Sequence, residues 1–306
     1  MDLTRHLHTF GHYLKTRFGE KVHKLSLAGD FTCPNRDGTL DRGGCTFCDV
    51  KSFGRDAAAL SIAEQIAREK HKTDRARRYL AYFQAYTSTY AEVSTLKALY
   101  DEAATQSDVV GLCVGTRPDC VPDSALDLLA GYQQQGYEIW LELGLQTAHD
   151  ATQERIRRGH GLADYRDAVQ RAHRRGLKVC THLIAGLPGE DNAHVRQTLA
   201  TVLDIGVEGL KLHPLMIVRG SRMAAQYRRG EIAPLTQEHY AALAAELIRH
   251  TPPEVVYHRV SATAQAPTLI APAWCGPRWP ALQAIAGQLA AAGPQGSALG
   301  RPWSGA

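Results

Sequence analysis

Polar and apolar positions along this chain change period repeatedly. Runs of strand length with two-residue alternation lie at 22–28, 79–84, 109–114, 138–145, 178–184 and 208–213. Between them, stretches near 61–72, 92–105, 123–135, 163–175 and 191–204 carry amphipathic helical spacing. Strand–helix alternation repeated this often predicts right-handed βαβ units and a parallel sheet. Six units predict an α/β fold built as a partial (β/α)6 TIM-like barrel, with a doubly wound open sheet as the alternative.

Three strands favour the barrel. In Leu141-Glu142-Leu143-Gly144-Leu145-Gln146 the leucines share one face, and Glu142, Gly144 and Gln146 share the other. Lys178, Cys180 and His182 alternate with apolar neighbours, as do Lys211 and His213. Strands covered on both faces by apolar layers read as continuous Val/Ile/Leu runs. Here one face is polar or small and must meet water, a ligand or other polar groups.

Beyond residue 250 the pattern weakens. Thr251-Pro252-Pro253 punctuates the chain, 255–260 reads as one more strand, and 267–279 reads as an aromatic loop. From Ala286 onward the chain is rich in Gly, Ala and Pro and lacks acidic residues, which by composition predicts a flexible end. The expected division is a core over 1–250 and a C-terminal extension over 251–306 that packs on the barrel.

Composition excludes some classes. With 44% hydrophobic and 22% charged residues over 306 positions, the chain is of ordinary globular type. No apolar run approaches the roughly 20 residues that cross a bilayer, so no membrane partner is expected. The N-terminus lacks the charged-then-apolar order of a secretory signal, and a cytoplasmic location is the expectation. A net charge of +4 permits an anionic partner without requiring one.

Seven cysteines in such a chain point to metal or catalytic chemistry before disulfides. Cys33, Cys45 and Cys48 follow the first strand with spacing C-x11-C-x2-C, among glycines that let a loop wrap closely. Three thiolates suit an iron–sulfur cluster with one iron left open. A structural zinc site would want a fourth ligand at regular spacing, and none is nearby, although zinc remains the alternative.

At these residues the chain resembles the radical S-adenosylmethionine (SAM) superfamily, whose three-cysteine loop carries an aromatic before the last cysteine, here Phe47. More closely it is similar to the YhcC-type proteins, related to the radical SAM core of Elp3. The stretches that carry the likeness are 31–39, 82–89, 114–120 (Val-Gly-Thr116-Arg117-Pro-Asp-Cys), 142–147, 186–190 and 211–214, continuing through 271–275 and 296–303. It spans nearly the whole chain.

The resemblance implies a [4Fe–4S] cluster on the three cysteines, SAM on the open iron, and an electron donor such as flavodoxin or ferredoxin. It implies that Phe47 lies near the adenine, as does Gly186 of the Gly-Leu-Pro-Gly segment. Gln84, Tyr86 and Thr87 fall where the methionine amino group is received. Thr116 and Arg117 belong to the same cofactor-binding set. Glu142 and Gln146 are placed for the ribose or the methionyl end, and Arg158 for the SAM carboxylate. His182, Lys211 and His213 are the candidate catalytic residues. Plainer readings stand beside these: interior packing for Gln84 and Tyr86, a solvated helix face for Arg157 and Arg158, core histidines, a simple turn at 186–189. Cys113 reads as core beside Val110 and Leu112. Cys120 and Cys275 fall in loops, from which one could reach the site.

For substrate, the likeness implies tRNA, with radical chemistry at a wobble-uridine side chain. Arg68, Lys70, Lys72, Arg75, Arg77 and Arg78 form a basic stretch that would suit phosphates, though helix surfaces are often this basic. The acetyltransferase domain of Elp3 is not expected here, and Met216 stands where relatives often show a second histidine. A radical SAM enzyme acting on a small molecule or protein is the alternative, and a non-catalytic zinc-bound nucleic-acid-binding protein a distant one. The tail, with Trp303, is expected to fold over the barrel mouth and shield the radical site.

Overall fold

The structure, a computed structural model, describes residues 3–49, 59–72 and 76–303. In chain order these form α1 (Phe10–Phe18), β1 (Val22–Leu27), α2 (Pro34–Asp37), α3 (Ile62–Lys70), β2 (Arg78–Phe83), α4 (Val93–Ala104), β3 (Val109–Thr116), α5 (Asp123–Gln134), β4 (Glu138–Gln146), α6 (Asp150–Arg155) and α7 (Leu162–His173). There follow β5 (Lys178–Ala185), α8 (Asn192–Ile205), β6 (Gly209–Pro214), β7 (Ile217–Val218), α9 (Arg222–Arg228), α10 (Gln237–Arg249), β8 (Val256–Arg259), β9 (Leu269–Ala271) and α11 (Arg278–Ala292).

Seven strands form one parallel sheet in the order β1-β2-β3-β4-β5-β6-β8. The sheet curls. In a flat sheet β1 and β6 would stand about 24 Å apart, five spacings of about 4.8 Å. Yet Lys24 of β1 and Lys211 of β6 both reach the carboxylate of Glu142 on β4. The six expected strands are all present, and β8, from the segment beyond 250, completes one edge.

Outward-facing residues such as Leu25, Leu112, Leu141, Leu143 and Leu183 pack under the helices in the main core. Inward-facing residues divide by depth. At the N-terminal ends of the strands, Phe10 and Leu14 of α1 close the floor against Leu80, Cys113, Trp140 and Cys180. Cys113 is thus buried, but on the inner face opposite Leu112. Above that floor the inward residues turn polar.

Local signals fix the helices. Ser61 caps α3, its hydroxyl accepting from Glu64 N at 3.2 Å while Glu64 Oε2 accepts from Ser61 N at 2.8 Å, a reciprocal capping box. Helix periodicity did not signal α1, α6, α9, α10 or α11. Over 267–279 the expected loop contains β9, which pairs antiparallel with β7. No helix among the described residues is long and apolar enough to cross a membrane.

The C-terminal end departs from both expectations. The alanines that suggested flexibility are strong helix formers, and Ala281, Ile285 and Leu289 bury one face of α11. After it, Gln295 donates its backbone N–H to His6 O at 2.8 Å, and Ala298 donates to Arg249 O at 2.9 Å. The Trp303 ring stacks on His250 at 3.8 Å, with the Arg196 guanidinium 5.9 Å from it. This end therefore fastens to the N-terminal segment and the outer helices α8 and α10. No described residue after Gly293 lines the cysteine cavity, so the expected cover over the mouth is not formed.

Candidate active site

The loop after β1 is tied down by its own backbone. Cys33 precedes α2, and its carbonyl accepts from Arg36 N and Asp37 N at 2.7 and 3.1 Å. Thr46 N donates to Ile156 O at 3.0 Å, and Met223 N donates to Thr46 O at 2.9 Å, so the loop lies between the end of α6 and the start of α9.

Positive groups converge on one thiol. The buried Asn35 amide donates to Cys45 Sγ at 3.3 Å and to the carbonyls of Arg157 and Arg158, each at 2.9 Å. Arg158, also buried, places Nη1 3.4 Å from Cys45 Sγ and Nη2 2.7 Å from Gly144 O. Burial pushes the Cys45 thiol up, but Arg158, Asn35 and Arg117 outweigh it and hold the thiol below its ordinary value. Cys48 goes the other way, pushed up to about 11 by burial and then by the charge of Cys45. Gly144 leaves room for this guanidinium: a Cβ would stand 2.7 Å from Arg158 Nη2 and displace it.

Cys33, Cys45 and Cys48 open with Phe47 onto a cavity of about 210 Å³. Gln84, Tyr86 and Thr87 line it from beyond β2, Thr116 from the end of β3 and Arg117 just after it. Glu142 and Gln146 come from β4, His182 from β5, Lys211 and His213 from β6, and Arg158 from the segment after α6. Of the residues expected at the site only Gly186 stands apart. With φ +87° it turns the chain after β5 into another cavity, bordered by Leu235 and His239. Neither Cys120 nor Cys275 lines the cysteine cavity, although both are buried.

Glu142 is the hub of the lower cavity and is completely buried. Its Oε1 accepts from Lys24 Nζ at 2.6 Å, and its Oε2 accepts from His182 Nε2 at 2.9 Å and from Lys211 Nζ. Burial pushes the carboxyl up, but Lys211 and Lys24 overcome it and hold it well below the ordinary carboxylate range. Its oxygens are therefore committed to protein donors. His182 is driven down to about 4 by burial and by Lys211, so it is neutral near pH 7. With Nε2–H assigned by its carboxylate partner, His182 keeps Nδ1 as an acceptor.

The site carries backbone strain and unspent donors. Only three non-glycine residues described have φ in the left-handed region: Tyr86 at +62°, Gln146 at +78° and Arg157 at +52°. The first two line the cavity and the third precedes Arg158. Such outliers cluster where function requires a fixed geometry. Thr87 Oγ1, Arg117 Nη1, Arg158 Nε and His213 Nε2 are buried without a hydrogen-bond partner. Thr116, by contrast, pairs its hydroxyl with Thr89. Most buried polar groups in proteins are paired, so orphans grouped on one cavity fit a polar ligand. Among the described residues, no group of three His, Cys, Asp or Glu side chains is arranged to hold a single metal ion.

Sequence reasoning missed Lys24, Asn35, Arg36, Tyr82 and Arg259, all of which line the cavity or hold its parts. Lys24 had a signal, a lone cation on the inner face of an apolar strand. Asn35 and Arg36 had none beyond proximity to Cys33. In the basic stretch, Lys70, Lys72 and Arg78 pair with Asp108, Glu69 and Glu20. Arg75 lies outside the described residues.

An inward polar lumen in a curled parallel sheet, capped by a three-cysteine loop, defines a class, and family comparison names it. The radical SAM superfamily profile matches residues 39–202, and that of the radical SAM C-terminal domain matches 207–291. This chain belongs to the radical SAM superfamily. It is 58% identical over 304 residues to Protein YhcC of Escherichia coli (strain K12), covering 99% of this chain and 98% of that one. It is 26% identical over 234 residues to a tRNA uridine(34) acetyltransferase of Dehalococcoides mccartyi, covering 70% of this chain and 49% of the relative. Among solved structures, Elp3 of Methanocaldococcus infernus shares the fold with a TM-score of 0.59 and 17% identity, over 81% of this chain and 58% of that one. Membership makes the chain a radical SAM enzyme, a family whose chemistry implies an iron–sulfur cluster and SAM.

Proposed function

We propose that Cys33, Cys45 and Cys48 hold a [4Fe–4S] cluster, that SAM binds beside it, and that the enzyme modifies tRNA at a wobble-uridine side chain. The observation that carries the first part is the meeting of the three thiols with orphaned buried donors on one cavity. When bound, cluster and SAM supply a 5′-deoxyadenosyl radical. The protein positions, insulates and holds protons. Asn35 and Arg158 donate toward Cys45 Sγ and stabilise its thiolate. Arg158 Nε and Arg117 Nη1 remain for a carboxylate, and the Gln84–Thr87 turn for an amino group. Phe47 offers a face for the adenine. Lys211 Nζ, held by Tyr82 and Glu142, borders the reacting space, and His182 Nδ1 can accept a proton there.

The tRNA part is supported by the partial likeness to the tRNA uridine(34) acetyltransferase. A flavodoxin or ferredoxin would supply the electron. Seven free cysteines suit a reducing compartment such as the cytoplasm. Anaerobic reconstitution tests the first part: the protein should take up iron, absorb broadly near about 400 nm and form 5′-deoxyadenosine from SAM under reduction. A colourless protein after reconstitution overturns it. For the second part, tRNA nucleosides from a deletion strain should differ from wild type at the wobble uridine. Identical profiles overturn that part alone.

A further inference from the structure

The incomplete barrel leaves a seam between its two edge strands, β1 and β8. A cavity of about 540 Å³ opens there, bordered by His23, Lys24 and Ser26 on one side and by 257–261 on the other. The N-terminal segment and Arg278 of α11 border it as well. Tyr82, Lys211 and Arg259 line both this cavity and the cysteine cavity. The seam is therefore a lateral approach to the same lumen.

Its charge is one-sided. Lys24, Lys211, Arg259 and Arg278 line it, and its described lining includes no Asp or Glu. Lys24 and Lys211 share the single carboxylate of Glu142, which leaves one buried positive charge uncompensated. Lys24 is held in its charged form: burial opposes this, but the Glu142 carboxylate raises its pKa above the ordinary value. Arg259 and Arg278, both exposed, have no ion pair or hydrogen bond among the described residues, and the Arg278 guanidinium lies 5.3 Å from the Trp279 ring. Ser261 Oγ, on the same wall, is buried without a partner. Buried charge in excess is costly unless a counter-charge joins it, and walls of low dielectric focus the field of such a cleft outward.

We propose that the seam between β1 and β8 is a second binding site, which takes an oxyanion, carboxylate or phosphate, of the molecule that reacts at the cysteine cavity. Arg259 and Arg278 supply guanidinium forks suited to two-point contact with such a group. Lys24, 19% exposed at its side chain, supplies a point charge behind them. The seam would then orient its ligand by an anionic end while the reacting end lies toward His182 and His213. This rests on the reading of the cysteine cavity as the radical site.

The test is calorimetric titration of the reconstituted protein with inorganic phosphate and, separately, acetate, at constant ionic strength. Arg259→Gln and Arg278→Gln should each weaken binding of the preferred anion at least fivefold, and Arg259→Lys should recover part of it. Tighter phosphate binding identifies a phosphate-bearing ligand, and tighter acetate binding a carboxylate; either supports the site. Equal affinity in wild type and both glutamine variants overturns it, as does the absence of binding. Iron uptake by the wild-type protein in the same preparation reports on the cysteine cavity alone. A protein that takes up iron but binds neither anion thus loses the seam site and keeps the proposed function.

Discussion

Two buried glutamates face inward on the same strand, four residues apart, and they occupy different worlds. Glu138, on the floor, accepts from Tyr13 Oη at 2.7 Å, Trp140 Nε1 at 2.8 Å and Lys178 Nζ at 2.6 Å. Its cations reach water, since the side chains of Lys178 and Arg17 are 33% and 57% exposed. Glu142, one layer higher, is shared by two lysines that are mostly buried. Around it lie orphaned donors and left-handed backbone. The floor spends its polar groups on fastening α1 to the barrel. The chamber above leaves some of its polar groups unspent. Buried polarity alone does not mark a site; buried polarity left open does.

The sharpest way to break this contrast is through the cysteines. Cys45→Ala should lose the iron and 5′-deoxyadenosine formation entirely, because no other thiol lines the cavity beside Cys33 and Cys48. Full iron content in that variant would sink the assignment.

Next come the glutamates. Glu142→Gln strands Lys24 and Lys211 beside a neutral amide and should cost about 3–5 kcal/mol. Glu138→Gln keeps an acceptor for Tyr13 and Trp140 and should cost only about 1–2 kcal/mol. Urea denaturation of both variants measures the gap, and equal costs would erase the distinction between layers.

An effect of a different kind is expected with pH. Burial holds His182 at about 4 and His258 at about 3, against an ordinary value of 6.5. Between those values the unfolded chain binds protons that the folded chain refuses, so stability present above pH 6.5 falls as pH drops toward 4. Denaturation midpoints flat across that window would contradict the buried, neutral state of both rings.

The least effect belongs to Cys113, which sits in the floor under Lys24. Cys113→Ala should cost about 1 kcal/mol and leave iron content intact. Loss of iron there would mean that floor and chamber are not separable.

Much of the frame was legible because alternation is a direct image of a strand with two different faces. Leu141, Leu143 and Leu145 against Glu142, Gly144 and Gln146 showed the lumen side. The cysteine spacing showed the loop. What periodicity could not show was which distant side chains the curl brings together: Lys24 and Lys211 lie 187 positions apart, 211 less 24. Nor do residue types reveal that Tyr86 and Gln146 adopt positive φ, a conformation expected first of glycine. Gly186 borders a second cavity, and residue types could not show this because a turn beside a strand end has the same letters whichever side it opens on. The tail misled for a related reason: alanine is both the mark of low complexity and the best helix former, and only the packing of Ile285 and Leu289 decides between them.

The bed of the cysteine loop has a consequence for the order of events in the cell. The strands from β1 to β6 join the sheet in the order in which they leave the ribosome, so each finds its neighbour already made. The loop does not share that schedule. Thr46 is held from one side by Ile156 and from the other by Met223, and Met223 is synthesised long after Cys48. A nascent chain can thus curl most of its sheet while its thiols still lack one wall of their setting. Metal delivered before that wall exists would meet a looser set of sulfurs than the finished protein offers.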